Sequence, residues 1–225
     1  MTRLWERFDR IVVFDTETTG LNFAGDRIIE IGAAALEGGT EVEGMDLFIR
    51  PPEGQRLDPF IVELTGITDE RLAAEGVEPE TAARAFARLA EGAEHPLIVA
   101  YNAQFDLNFM YYLLRPWNLL HVLKNAHFLD ALTVYKDRRD YPHRLENAIP
   151  AYHLEDKAVN SHRAVDDARA AVLLLEAMAE EKDDLDRYIN LFGVHPKYGM
   201  SGRRISSVTY RVQPYDRRKP LYELS

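Results

Sequence analysis

Apolar residues in this chain come in two rhythms. Residues 11–14 (IVVF) and 97–101 (LIVAY) are short uncharged runs, long enough for a buried strand and too short for a buried helix. Residues 27–36 read RIIEIGAAAL, a mostly apolar strand, and Gly38-Gly39 turns it into another at residues 41–50. Those two predict an antiparallel hairpin, stopped by Pro51-Pro52. A fifth short strand opens at residues 127–130. Helical spacing governs elsewhere. Ala82, Ala83, Phe86, Leu89 and Ala90 recur on one face of residues 79–91, and residues 104–114 form a helix that ends before Pro116. Helices follow at 131–136, 142–151 and 163–180, then a short one at 185–192. Residues 2–10 give a turn or two with Leu4, Trp5 and Phe8 packing inward, and 53–78 are irregular except for a helix near 59–64. A hairpin first, then strands alternating with helices, predicts an α/β protein: a mixed sheet with helices on both faces.

Composition narrows the class. At 225 residues and 46% apolar, the chain suits one domain with a sizeable core, or a domain with an appendage. It has no cysteine, which excludes disulfides and thiolate metal sites and agrees with a reducing cytoplasm. The first ten residues are charged throughout, unlike a signal peptide, and no apolar run nears the ~20 residues of a membrane span. The expectation is a soluble, cytoplasmic protein with no membrane contact.

The formal net charge is −10, and its distribution is uneven. From residue 195 onward Lys197, Arg203, Arg204, Arg211, Arg217, Arg218 and Lys219 face only Asp216 and Glu223. We therefore divide the chain into a body, 1–194, and a basic extended C-terminal arm, 195–225. An acidic body with a basic arm is an asymmetry that points to nucleic acid.

The polar residues that interrupt the first strand carry the chemistry. Asp15 and Glu17 are two residues apart at its end, so both project from one face. Two carboxylates side by side repel, and burying one unpaired is costly. A cation between them removes both problems. Asp106 lies in the first turn of the helix after the fourth strand, where ligands of open α/β sheets gather, although an acidic residue there also serves the helix dipole. The stretch SHRAVDDARA places His162 at a helix entrance with Asp166 and Asp167 four and five residues on. On helical geometry alone either aspartate can turn toward the sheet. Glu30, inside the second strand, reads as a paired structural carboxylate.

Taken together, DTETTG (15–20), NAQFD (102–106) and HRAVDDA (162–168), with LTGIT (64–68) between the first two, resemble the DEDDh branch of the DEDD exonucleases, the proofreading, DnaQ-like family that includes the polymerase III ε and PolC exonucleases. The resemblance covers residues 10–178. It implies a ribonuclease H-like three-layer α/β/α fold with a mixed five-stranded sheet. The family spacing of the third motif selects Asp167 over Asp166, and His162 stands where the tyrosine branch has Tyr. One departure concerns Tyr101, where the family often has His before the Asn of the second motif; this leaves the ligand intact and alters local hydrogen bonding.

The resemblance further implies that Asp15, Glu17, Asp106 and Asp167 hold two divalent cations, Mg²⁺ or Mn²⁺, with Asp15 central. All-oxygen ligands suit such hard cations. His162 would take the proton from the attacking water, a task that fits an imidazole titrating near neutrality. Thr18, Leu21, Thr65, Ile67 and Phe105 would contact the terminal nucleotide, although Ile67 and Phe105 read first as core residues. The implied activity is 3′→5′ hydrolysis of single-stranded DNA to nucleoside 5′-monophosphates, with a DNA polymerase as partner if the role is proofreading. The basic arm would hold the strand through its phosphates. Two rivals share the motifs: an exoribonuclease, and a nucleic-acid-binding module of the same fold without turnover.

Overall fold

The structure, a computed structural model, describes residues 3–159, 161–194, 207–213 and 219–224. A short helix α1 (Arg3–Arg7) leads into β1 (Ile11–Thr18), β2 (Ile28–Glu37) and β3 (Thr40–Phe48). Next come α2 (Pro59–Thr65), α3 (Asp69–Glu75), α4 (Pro79–Ala90), β4 (Leu97–Ala100), α5 (Ala103–Leu114) and α6 (His121–Asn125). The chain continues through β5 (His127–Asp130), α7 (Ala131–Arg138), α8 (Leu145–Ala151), α9 (Ala164–Glu181), β6 (Leu191–Val194) and β7 (Thr209–Val212).

The main sheet runs β3-β2-β1-β4-β5. β1 pairs antiparallel with β2 and parallel with β4, so the sheet is mixed as the residue pattern predicts. Gly38 and Gly39 take positive φ of 57° and 83° in the β2–β3 turn, a backbone that a β-carbon disfavours. β1 alternates faces. Val12 and Phe14 pack with Phe86, Leu107 and Met110 of α4 and α5, whereas Ile11 and Val13 pack with Leu174, Leu175 and Met178 of α9. Two apolar layers therefore sandwich the sheet.

Gly32 sets how closely α9 approaches. A β-carbon there would overlap the backbone of Ala164 and Val165 at the start of α9. Backbone cannot step aside as a flexible side chain can, so Gly32→Ala should destabilise the fold by about 1–3 kcal/mol. A urea titration of the variant should show a lower midpoint, and an unchanged midpoint would mean that α9 is not seated as described.

Three local expectations are corrected. Residues 53–78 hold a second helix, α3, whose cap is the Thr68 side chain accepting from Arg71 N. Residues 121–125 form the short helix α6, which the apolar pattern did not predict. Residues 185–192 are not one helix: a 3₁₀ turn (Leu185–Tyr188) gives way to β6, which pairs parallel with β7. Leu221 is buried, and the Arg211 guanidinium donates to the carbonyls of Leu221 and Leu224. Lys197, Arg203, Arg204, Arg217 and Arg218 of the basic stretch lie outside the described residues. Among the described residues, no helix is long and apolar enough to cross a membrane.

Candidate active site

β1 outruns its parallel neighbour. Its pairing with β4 ends at Val13↔Val99, so Asp15 and Glu17 continue on the α9 side beyond the last shared rung. Thr16 faces the other way, and its hydroxyl donates to Asp106 Oδ1 at 2.7 Å. Asp106 is 2% exposed in the first turn of α5. Asp167, 7% exposed, lies in the first turn of α9, whereas its neighbour Asp166 accepts from the Ser161 hydroxyl at 2.6 Å. The four carboxylates of Asp15, Glu17, Asp106 and Asp167 and the exposed His162 line one cavity of about 380 Å³. One ligand atom each from Glu17, His162 and Asp167 lie within 4.8 Å of one another, a group able to hold a metal ion.

Both helices that deliver a carboxylate begin without a side-chain cap of their own. Asn102, in a left-handed conformation (φ 70°), starts α5, and Arg163 starts α9. A helix start leaves backbone N–H groups unpaired, and a buried one needs a partner from elsewhere. For α5 that partner is Asp130, at the end of β5: its Oδ1 accepts from Asn102 N at 3.1 Å and Ala103 N at 3.0 Å. For α9 it is Glu30 of β2, whose Oε2 accepts from Ala164 N at 3.1 Å. The reading of Glu30 as a paired carboxylate agrees with its contacts to Arg163.

The electrostatics are those of a cation site. Burial, followed by the charges of Asp106, Glu17, Asp167 and Glu30, holds the Asp15 carboxyl well above the usual carboxylate range. Burial also pushes Glu17 up to about 8, with Asp167, Glu30 and Asp106 adding to it and Arg163 opposing. Asp106 rises to about 7 through burial, against the hydrogen bond from Thr16. Such a cluster cannot ionise fully near neutral pH by itself, but a divalent cation would restore the charged forms. The four carboxylates, with no thiolate among them, are hard oxygen donors that fit a divalent cation such as Mg²⁺ or Mn²⁺.

Of the residues expected at the terminal nucleotide, Phe105 lines the cavity, while its ring also packs on Phe109 at 5.0 Å between centroids. Thr18, Leu21, Thr65 and Ile67 are not among the lining residues. The Thr18 hydroxyl donates to Gly20 O, and Leu21 is 82% exposed. Thr65 donates to Ile61 O, and Ile67 is fully buried with Ile29, Phe48 and Leu72.

Sequence reasoning missed His143 and Arg144, which line the rim of the cavity just before α8. Tyr101 explains how they are held: its hydroxyl donates to His143 O at 2.7 Å. It also missed Asp130, for which a signal existed, an aspartate ending a strand with Thr133 three residues on. A larger cavity of about 970 Å³, lined by Arg50, Tyr112 and Trp117 among others, contains none of the four carboxylates.

The chain is similar to known proteins in sequence and in fold. The chain is 34% identical over 209 residues to the PolC-type DNA polymerase III of Clostridium perfringens, covering 92% of this chain and 13% of that protein. It is 33% identical over 174 residues to the PolC-type polymerase of Bacillus subtilis, covering 76% and 11%. The chain thus spans only about an eighth of the length of these relatives. Among solved structures, the crystal structure of E. coli exonuclease I in complex with a dT13 oligonucleotide superposes with a TM-score of 0.68 at 21% identity, over 80% of this chain and 43% of that one. An exonuclease I from Methylocaldum szegediense gives 0.66 at 19% identity, over 80% and 42%. These likenesses establish the ribonuclease H-like fold. Residues 12–175, which span all three acidic motifs, match the model of the RNase_T exonuclease family, and the chain belongs to that family.

Proposed function

We propose that this chain hydrolyses single-stranded DNA from its 3′ end, releasing nucleoside 5′-monophosphates. The observation that carries the reading is the meeting of Asp15, Glu17, Asp106, Asp167 and His162 around one cavity. Asp15, Glu17, Asp106 and Asp167 would hold two divalent cations. When bound, such ions neutralise the phosphate and make water more acidic. The remaining steps belong to side chains. His162, exposed at the mouth, accepts the proton of the attacking water. Phe105 offers a face for the terminal nucleotide, with Thr18 and Leu21 contacting its sugar and base. Arg144, its side chain 85% exposed at the cavity rim, meets the strand's phosphates.

DNA is favoured over RNA because the relatives are named DNA polymerases and the exonuclease I complex holds a deoxyoligonucleotide. The same names motivate proofreading beside a polymerase. The test uses 5′-labelled single-stranded DNA and RNA of one sequence, each with Mg²⁺ and with EDTA. A one-nucleotide ladder from the 3′ end, on DNA with Mg²⁺ only, is the expected result. A ladder on RNA alone would shift the substrate, and silence on both would leave a binding module. In the same assay Arg144→Ala should raise KM several-fold and leave kcat within about twofold, because a rim contact adds uniform binding.

A further inference from the structure

Asp15, Glu17, Asp106 and Asp167 meet at the cavity, and a further carboxylate is buried beside them. Glu30 is 0% exposed and pairs across the sheet with Glu17, so both side chains leave the same face toward α9. Its Oε1 accepts from Arg163 Nε at 2.8 Å and from an Arg163 Nη at 2.6 Å, while Oε2 accepts from Ala164 N. Both oxygens are thus committed to the first residues of α9. Arg163 is in turn fixed by the Phe48 ring, 4.9 Å from its guanidinium carbon, and by Asp46 at 3.5 Å.

What this clamp holds is chemically important. His162 immediately precedes Arg163 and has a positive φ of 55°, a conformation that non-glycine residues adopt only when their surroundings impose it. Asp167 follows one turn later. On the strand side, Gly32 lets this helix start sit directly on β2. A buried carboxylate is an expensive anchor: apolar packing could seat α9 at less cost, and the pair would be needed only where orientation matters. We propose that Glu30 and Arg163 are positioning residues, a buried clamp that sets His162 and Asp167 against Glu17, so that the two carboxylates can share a cation with the imidazole held beside it. The inference rests on the exonuclease reading. It predicts that breaking the clamp weakens the metal site and slows turnover without touching substrate.

Mn²⁺ binding to the whole chain, followed by electron paramagnetic resonance and independent of cleavage, is the first readout. Glu30→Gln keeps size and removes the charge, and it should weaken Mn²⁺ binding by about 10–100-fold, the usual effect of losing a partner behind a metal ligand. At saturating Mn²⁺, kcat should fall at least several-fold with KM for the oligonucleotide near that of the parent. Arg163→Lys, which keeps the charge and loses the planar fork, is the variant to rely on if Glu30→Gln does not fold; it should weaken binding in the same direction. The double variant should be no worse than the poorer single one, since both break the same contact. Parent-like Mn²⁺ affinity in folded single variants, or effects that multiply in the double variant, would overturn the clamp alone. A parent chain that neither binds Mn²⁺ nor cleaves would overturn the exonuclease reading and the clamp with it.

Discussion

Asp167→Ala should abolish cleavage, and Asp166→Ala, one residue away, should leave most of it. Asp167 lies inside the cavity with Glu17 and His162, whereas Asp166 is bound to the Ser161 hydroxyl outside it. Stabilisation of a phosphoryl group by a bound cation amounts to several kcal/mol, and each ~1.4 kcal/mol is a factor of ten in rate. Loss of one of four carboxylates should therefore cost on the order of 10³-fold. The Asp166 change should stay within a few-fold, limited to what the Ser161 contact adds to the helix start. Initial rates on one labelled oligonucleotide suffice to compare the two. The reverse ranking would mean that α9 is rotated from the orientation described, and the family spacing of the third motif would not apply to this chain.

That pair also marks where the sequence was legible. A period of two is unambiguous over a short strand, so Asp15 and Glu17 were readable as neighbours on one face from their spacing alone. Helical geometry did not separate Asp166 from Asp167, and only the spacing shared with a family did. Most strands of the main sheet were legible as short apolar runs bounded by turns, whereas β3, largely exposed and carrying Glu41, Glu43 and Asp46, was legible from the Gly38-Gly39 turn before it and Pro51-Pro52 after it. Residues 191–194 were not: four apolar-rich residues after a helical turn fit either state, and their partner Thr209–Val212 comes much later in the chain. The helix at Asp69–Glu75 could have been found, since Thr68 followed by two acidic residues is a start signal and Gly76 follows its end. The caps supplied by Glu30 and Asp130 could not. Their partners lie 134 and 27 residues away in sequence, and no local pattern reports a contact made only by the finished fold.

Without divalent cations the chain should lose stability as the pH rises, which is unusual for carboxylates. Paired carboxylates commonly have lowered pKa values and favour the folded state above about pH 4. Here the order is inverted: Asp15 is held high, Glu17 is pushed up to about 8 and Asp106 to about 7. Between the ordinary carboxylate range and these values the folded chain binds more protons than the unfolded one. Stability from these groups is therefore complete at low pH and declines until the folded carboxyls have titrated. A tenfold difference in proton affinity between the folded and unfolded chain is worth about 1.4 kcal/mol, so the decline amounts to several kcal/mol. In EDTA the melting temperature should fall by roughly 10 °C between pH 5.5 and pH 8.5, given about 2–4 °C per kcal/mol for a chain of this size. Saturating Mg²⁺ or Mn²⁺ should flatten that slope, because a bound cation favours the ionised forms and is lost on unfolding. The same linkage requires proton release when Mn²⁺ is added at pH 7. Calorimetric titrations in two buffers of different ionisation enthalpy should give different heats, and the difference should shrink at pH 9, above the values to which Glu17 and Asp106 are pushed. Identical heats at pH 7 in both buffers, or a melting temperature in EDTA that rises with pH, would mean that these carboxylates do not crowd one another as described.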